Sequence, residues 1–376
     1  MRILVSAGEA SGDRYAAELV AALKQRLPKA EFFGCAGPKL REQGVEAVVR
    51  SEDLAVVGLF EVVRHIPRIW AEFRRLTAES DRRKPQLALL TDAPDFNLRL
   101  AKKLHRRQVP VAYYVAPQVW AWRKRRIRLL KRLIDQLLCI FPFEEAYFEQ
   151  RGVRAAYVGH PLSSAPGVRG SRVEFCRLHG LDPALPLIAL LPGSRQGEAA
   201  RNLPPALDAV DLLRAQRELN VVLPASNTTG KSFFEQRVGG RPVHIVENET
   251  RDALAHADAA FVASGTATVE AALLGAPMVV FYRVSAASYR LGRMLVDVPF
   301  YSMVNLLADK AIVPELIQHD CTGERLAAEM EKLLDDAGER SRMKADLAAV
   351  ADQLRGPVPA AQQAAEVICE RFDLSA

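Results

Sequence analysis

Two acids follow the first apolar run of the chain, and the chemistry they permit is narrow. In "LVSAGEASGDRY", residues 4–15, a run of Ile3, Leu4 and Val5 ends in small residues, and a helix-like stretch follows from Tyr15. Glu9 and Asp13 stand in the intervening loop. Gly8 and Gly12 permit close backbone approach, but the spacing is G-x-x-x-G and not the dinucleotide G-x-G-x-x-G. Carboxylates at such a place repel a pyrophosphate. They suit sugar hydroxyls, or a proton taken from one. The plainer alternative is a capping loop with solvated acids.

"LLTDAPDFN", 89–97, repeats the theme, with Asp92 and Asp95 ending a buried-type run beside Pro94. One of the two can cap the helix that follows, and the other is a candidate chemical base. A metal reading is weaker, because no further His or acid cluster lies nearby in sequence.

Two later loops carry the opposite preference. "LLPGSRQGE", 190–198, ends an apolar run with Ser194 and Arg195 at a helix start. Backbone N–H groups, a hydroxyl and a guanidinium aimed at one spot make an anion site. "ASGTATVEAALLGAP", 263–277, is a second small-residue turn into a helix. Its N–H groups and hydroxyls, around Ser264, Gly265 and Thr266, suit phosphate, and Glu270 suits ribose hydroxyls. The second half therefore reads as a nucleotide-diphosphate domain, and the first half holds whatever attacks.

These loops need strands to hold them. Apolar or β-branched runs occur at Ile3–Ser6, Glu31–Cys35, Leu87–Thr91, Val111–Val115, Gln136–Ile140 and Ala155–Val158. Helix-like stretches, such as Tyr15–Arg26 and Phe96–Arg107, lie between them. The rhythm restarts at Leu187–Leu191, Asn220–Pro224, Pro242–Val246, Ala259–Val262 and Met278–Tyr282. Continuous apolar runs mark strands of a parallel sheet buried on both faces. "GHPLSSAPGVRGSR", 159–172, is a linker by its Gly, Pro and Ser content. The expected fold is two doubly wound α/β domains facing across a cleft, 1–165 and 166–340. A C-terminal helical segment, 341–376, then packs on the first domain of the same or a partner chain. Its break falls at "RGPVP", 355–359.

Charge divides along the same line. The net charge of +6 is made of about +11 over residues 1–165 and about −5 over the rest. The stretch 54–76 mixes Val57, Leu59, Phe60, Ile66, Ile69, Trp70 and Phe73 with Arg64, Arg68, Arg74 and Arg75. "WAWRKRRIRLLKR", 120–132, follows with seven basic residues in Arg123–Arg132. Apolar and basic residues at helical spacing fit an interfacial helix on an anionic membrane. A core helix and a nucleic-acid contact are the competing readings, and no aromatic stacking platform on strands supports the latter. The start has no secretory pattern, and no apolar run approaches a bilayer span. Five scattered cysteines read as reduced cytoplasmic thiols.

"SAGEASGD" (6–13), "DAPDFN" (92–97), "YYVAPQVWAWR" (113–123), "LPGSRQGE" (191–198) and "SGTATVEAALLGAPMVVFYR" (264–283) occur in the order and spacing of one family. Over essentially its whole length the chain resembles the lipid A disaccharide synthases, bacterial inverting glycosyltransferases of GT-B architecture. The resemblance implies transfer of 2,3-diacylglucosamine from its UDP conjugate to the 6-hydroxyl of 2,3-diacylglucosamine 1-phosphate (lipid X), giving the β-1,6 disaccharide 1-phosphate and UDP. It implies no metal or other cofactor, and a peripheral place on the cytoplasmic face of the inner membrane. A homodimer with exchanged C-terminal segments is also an expectation from the family.

By position, the resemblance puts Glu9, Ser11, Asp13 and Arg123 on the acceptor side. It makes Asp95 the general base with Asp92 as the alternative. Ser194, Arg195, Glu198, Ser264, Gly265, Thr266, Glu270 and Asn305 fall on the UDP side. His160, in "VGHPL", either touches the nucleotide or fixes the linker. Two other readings remain open: another GT-B UDP-sugar enzyme (a soluble N-acetylglucosaminyltransferase or an epimerase), and a non-catalytic nucleic-acid binder built on the basic half.

Overall fold

The computed structural model describes residues 1–53, 59–121, 123–285, 289 and 298–375, with the backbone alone for 59–66. The chain divides into two compact units, residues 1–164 with 354–376, and residues 165–353.

The first unit is built on strands β1 (Arg2–Ala7), β2 (Glu31–Ala36), β3 (Glu46–Arg50), β4 (Leu87–Thr91), β5 (Val111–Tyr114), β6 (Gln136–Cys139) and β7 (Ala155–Tyr157). They pair in parallel in the order β3-β2-β1-β4-β5-β6-β7. The connecting helices are α1 (Ala10–Arg26), α2 (Pro38–Glu42), α3 (Leu59–Arg83), α4 (Pro94–His105), α5 (Ile127–Leu133) and α6 (Pro142–Glu149). From β1 the chain steps to β2 on one side, and β4 lies on the other. That reversal makes the β1/β4 boundary the place where ligands gather in such sheets, beyond the carboxyl ends of the strands.

The second unit repeats the plan. Its strands are β8 (Leu187–Leu191), β9 (Asn220–Ala225), β10 (His244–Glu247), β11 (Ala259–Ala263), β12 (Met278–Tyr282) and β13 (Glu315–Ile317). The order β10-β9-β8-β11-β12-β13 puts its reversal between β8 and β11. Here α7 (Arg172–Leu178), α8 (Gln196–Arg214), α9 (Lys231–Glu235), α10 (Thr250–His256) and α11 (Thr266–Leu273) supply the connections.

The central strands are apolar throughout because both of their faces are covered. Every residue of β4, β8 and β11 is buried. Each such Leu or Val contributes roughly 1.5–3 kcal/mol by leaving water. Edge strands lack this signature: β3 shows a mixed exposure pattern, and β13 has three residues. Neither was expected from the sequence. The helix expected from Tyr15 begins instead at Ala10, with Glu9 in extended backbone as its N-cap residue. Ser11, Gly12 and Asp13 thus belong to a first helical turn and not to a free loop.

After β13, the helix Gly323–Asp335 packs on α8, and Ala337–Leu354 carries the chain back to the first unit. Residues 355–359, with Pro357 and Pro359, break the helix. The closing helix Ala360–Arg371 lies against α1 of its own chain and buries Ala364, Ala365 and Ile368.

Candidate functional site

At the first reversal the turns after β1 and β4 are pressed together. A Cβ on Gly8 would lie 2.5 Å from the Cβ of Ala93, and one on Gly12 would lie 3.0 Å from that of Asp92. The glycines of the first motif serve this approach of one turn to the other. Asp92 and Ala93 both have positive φ, 54° and 44°. Two consecutive non-glycine residues in this region cost on the order of 1–3 kcal/mol each, and they persist because neighbours hold them. The Asp92 carbonyl accepts the Tyr113 hydroxyl at 2.6 Å and the Asn97 amide at 2.7 Å. Asn97, fully buried, also donates to the Thr91 carbonyl and accepts the Ser6 hydroxyl. Glu9, half-buried, follows Gly8 beside this clamp.

The other acids differ in their surroundings. Asp13 is buried, and its oxygens accept the N–H groups of Gly37, Lys39 and Leu40. Burial raises its carboxyl and these N–H groups lower it, with burial dominant. Asp13 therefore holds the turn into α2, while Ser11 is exposed. Asp95, in the first turn of α4, is exposed and paired with Arg123 at 3.1 Å and with Arg126. The basic stretch thus meets the acidic motif through two guanidiniums.

On α3, Trp70 is 49% exposed and stacks on the buried Phe73, whose ring meets Phe96 edge-on. Ile69 is half-buried. Val57 lies outside the described residues, as do the side chains of Leu59, Phe60 and Ile66. No helix among the described residues is long and apolar enough to cross a membrane.

At the second reversal, the turns after β8 and β11 run into the N-termini of α8 and α11. Ser194, Arg195, Gly265 and Thr266 are exposed there. Gly193 has φ 126°, and a Cβ on it would strike the Glu198 side chain at 2.6 Å, so Glu198 lies back over the turn. Asn202, fully buried, donates to the Pro192 carbonyl and accepts the Arg283 N–H, tying the turn to the end of β12. Ser264 donates its hydroxyl to the Tyr301 carbonyl at 2.9 Å. Glu270 faces Arg251 at 3.6 Å.

Asn305 is fully buried. Its amide donates to the Val313 carbonyl and to Glu315, and its oxygen accepts the N–H groups of Ile312 and Val313. It organises the segment from Ser302 to β13, together with Glu315, which also accepts from Tyr301 and Ser302. His160 is buried between Tyr15 and Phe141, and burial holds its ring down to about 3, so it is neutral. Its Nδ1 accepts the Leu162 N–H, which fixes the linker turn. Asn97, Tyr113, Asn202 and Glu315 were not singled out from sequence, although Asn97 and Tyr113 lie in motifs that were. Among the described residues no group of three or more His, Cys, Asp or Glu is arranged to hold a metal ion.

The family model described as Lipid-A-disaccharide synthetase matches residues 3–368. A lipid-A-disaccharide synthase of Solibacter usitatus is 56% identical over 369 residues, covering 98% of this chain and 97% of the relative. That of Myxococcus xanthus is 45% identical, with the same coverages. Among solved structures, an S. aureus MnaA–UDP complex has a TM-score of 0.66 at 13% identity, covering 99% of this chain and 96% of that one. The glycotransferase of kitacinnamycin has 0.65 at 16%, covering 98% of each. At such identities these two report the fold alone. The chain belongs to the lipid-A-disaccharide synthase family, hexosyltransferases on a GT-B fold.

Proposed function

We propose that this protein carries out the family's transfer of 2,3-diacylglucosamine from UDP to the 6-hydroxyl of lipid X with Asp92 as the base. The observation that carries the assignment is the pair of guanidiniums on Asp95. The two guanidiniums cover both oxygens of Asp95 and tie that side chain to the basic stretch. Asp92 instead sits at the reversal with its backbone clamped in a strained conformation, as reacting groups often are. Asp92 takes the hydroxyl proton as the oxygen attacks the anomeric carbon from the face opposite UDP. The sugar–phosphate bond breaks, and Arg195 with the N-termini of α8 and α11 offsets the charge on the departing pyrophosphate. Glu9 accepts from acceptor-sugar hydroxyls, and Glu270 from the ribose. Arg123 and Arg126, released in part from Asp95, attract the acceptor phosphate.

With the leaving charge met in this way, no metal is required. The basic, aromatic face of α3 around Trp70 lies on the anionic surface of the inner membrane. In a homodimer with exchanged C-terminal segments, the face of Ala360–Arg371 that packs on α1 would pack on α1 of a partner copy.

The deciding experiment is a radiolabelled assay with UDP-2,3-diacylglucosamine and lipid X in micelles, with and without EDTA. Disaccharide formation that is indifferent to EDTA is expected. UDP binding without product would set aside the lipid substrates and favour another UDP-sugar reaction. Loss of activity in EDTA would set aside the metal-free route.

A further inference from the structure

Glu144 is a buried carboxylate for which the reaction has no use. It occupies the first turn of α6 and is 0% exposed. One oxygen accepts the Phe141 N–H at 3.2 Å, and the other accepts the indole N–H of Trp120 at 3.0 Å. Burial pushes its carboxyl up to about 7. An acid kept at such a place opposes folding near neutral pH, whereas a cap alone needs only a neutral acceptor.

The partner explains the acid. Trp120 belongs to the loop between β5 and α5, the "QVWAWR" stretch whose aromatic residues the reaction leaves unused. That loop is irregular, with Val115 and Arg123 at φ 64° and 59°. Among the described residues its backbone bonds are local turns, Val119 to Pro117, Ala121 to Gln118 and Arg126 to Arg123. The Trp120 side chain ties the loop to α6, with its ring edge-on to Phe143 at 5.0 Å and its N–H on Glu144. Three residues further along are Arg123 and then Arg126, both on Asp95.

We infer that Glu144 is a positioning residue: through the Trp120 indole it fixes the β5–α5 loop and so keeps Arg123 and Arg126 aimed at the acceptor side. What the loop serves rests on the proposed function. That the bond holds the loop does not.

Two readouts test it. The exposed run Arg123–Lys124–Arg125 is a trypsin site, and its cleavage in the folded protein reports opening of the loop. Trp120→Phe keeps an aromatic ring facing Phe143, though a smaller one, and removes the N–H. It is expected to speed that cleavage about tenfold, the scale of a hydrogen bond to a carboxylate. It should also raise the KM for lipid X several-fold while leaving that for the UDP-sugar unchanged. Glu144→Gln keeps one oxygen for the indole but turns an NH2 group toward the Phe141 N–H, so it should fall between wild type and Glu144→Leu in both readouts.

Unchanged cleavage and unchanged lipid X KM in Trp120→Phe would overturn the inference. So would equal changes in both KM values that track a fall in melting temperature. If Glu144→Leu fails to fold, the two conservative variants still decide. If the wild type makes no disaccharide, the proposed function fails while the cleavage arm alone confirms or overturns the role of Glu144.

Discussion

The two aspartates of one motif, three residues apart, occupy different environments, and that difference predicts different defects. Asp92→Asn should lower kcat by about 10²–10⁴, the range for removing a general base, with UDP binding intact. Asp95→Asn should act mainly through Arg123 and Arg126, raising the KM for the phosphorylated acceptor more than it lowers kcat. Steady-state kinetics of the pair decides. A dead Asp95→Asn beside a working Asp92→Asn would exchange the two roles.

Buried titratable groups make a second prediction at this scale. The Glu144 carboxyl is raised from 4.5 to about 7, so its contribution to stability is full below pH 4.5 and is lost as pH rises through 7. The loss totals roughly 3 kcal/mol. His160, lowered from 6.5 to about 3, acts oppositely: its contribution is full above pH 6.5 and disappears as pH falls toward 3. Denaturant melts between pH 4 and 8 should therefore fall less steeply with rising pH in Glu144→Gln than in wild type. Parallel profiles would mean that Glu144 does not titrate in this range.

Elements decide how near these residues come to each other. The β1 and β4 turns meet at Gly8 and Ala93 with no room for a methyl group. Gly8→Ala should cost about 1–3 kcal/mol by overpacking and should reduce turnover, because the methyl displaces the turn that carries Asp92. Gly167→Ala, with open space around it, is the control and should be near neutral. Urea melts of the two variants separate them.

At this scale the sequence was informative where an element is buried on both faces. β4, β8 and β12 begin and end where their apolar runs do. It was silent on β3 and β13, which are short edge strands with half-exposed residues. The start of α1 was misread because Gly12 looks like a loop residue, and only its packing on Asp92 explains a glycine inside a helix. Polar clamps were the least legible part. Asn97 reaches back to Ser6 and Glu144 to Trp120, and nothing local in either sequence announces a partner so far along the chain. Asn305, put on the UDP side by the resemblance, has its amide spent on Val313 and Glu315, at the entry to β13.

Over the whole molecule the chain crosses between its units twice, after Ser164 and again after Gln353. Its last 23 residues therefore complete the first sheet's helical cover after the second unit is finished. The closing helix contributes Ala364, Ala365 and Ile368 to the contact with α1, and Glu366 lies 3.9 Å from Arg26. The exposed ion pair contributes little. Ile368 alone contributes about 2 kcal/mol by burial, so the helix is held by its apolar face.

A chain ending at Gln353 should lose this cover from one unit only. Calorimetry should show the first unit melting earlier and the second unchanged, and UDP affinity should be retained while transfer is lost. A synthetic peptide spanning 354–376, added in trans, should restore part of both the early transition and the activity, because its site on α1 is intact. Restoration by the peptide would also establish that the segment can be donated by another chain, which an exchanged dimer requires. A single cooperative melt shifted as a whole, with UDP binding lost, would instead mean that the two units do not fold independently.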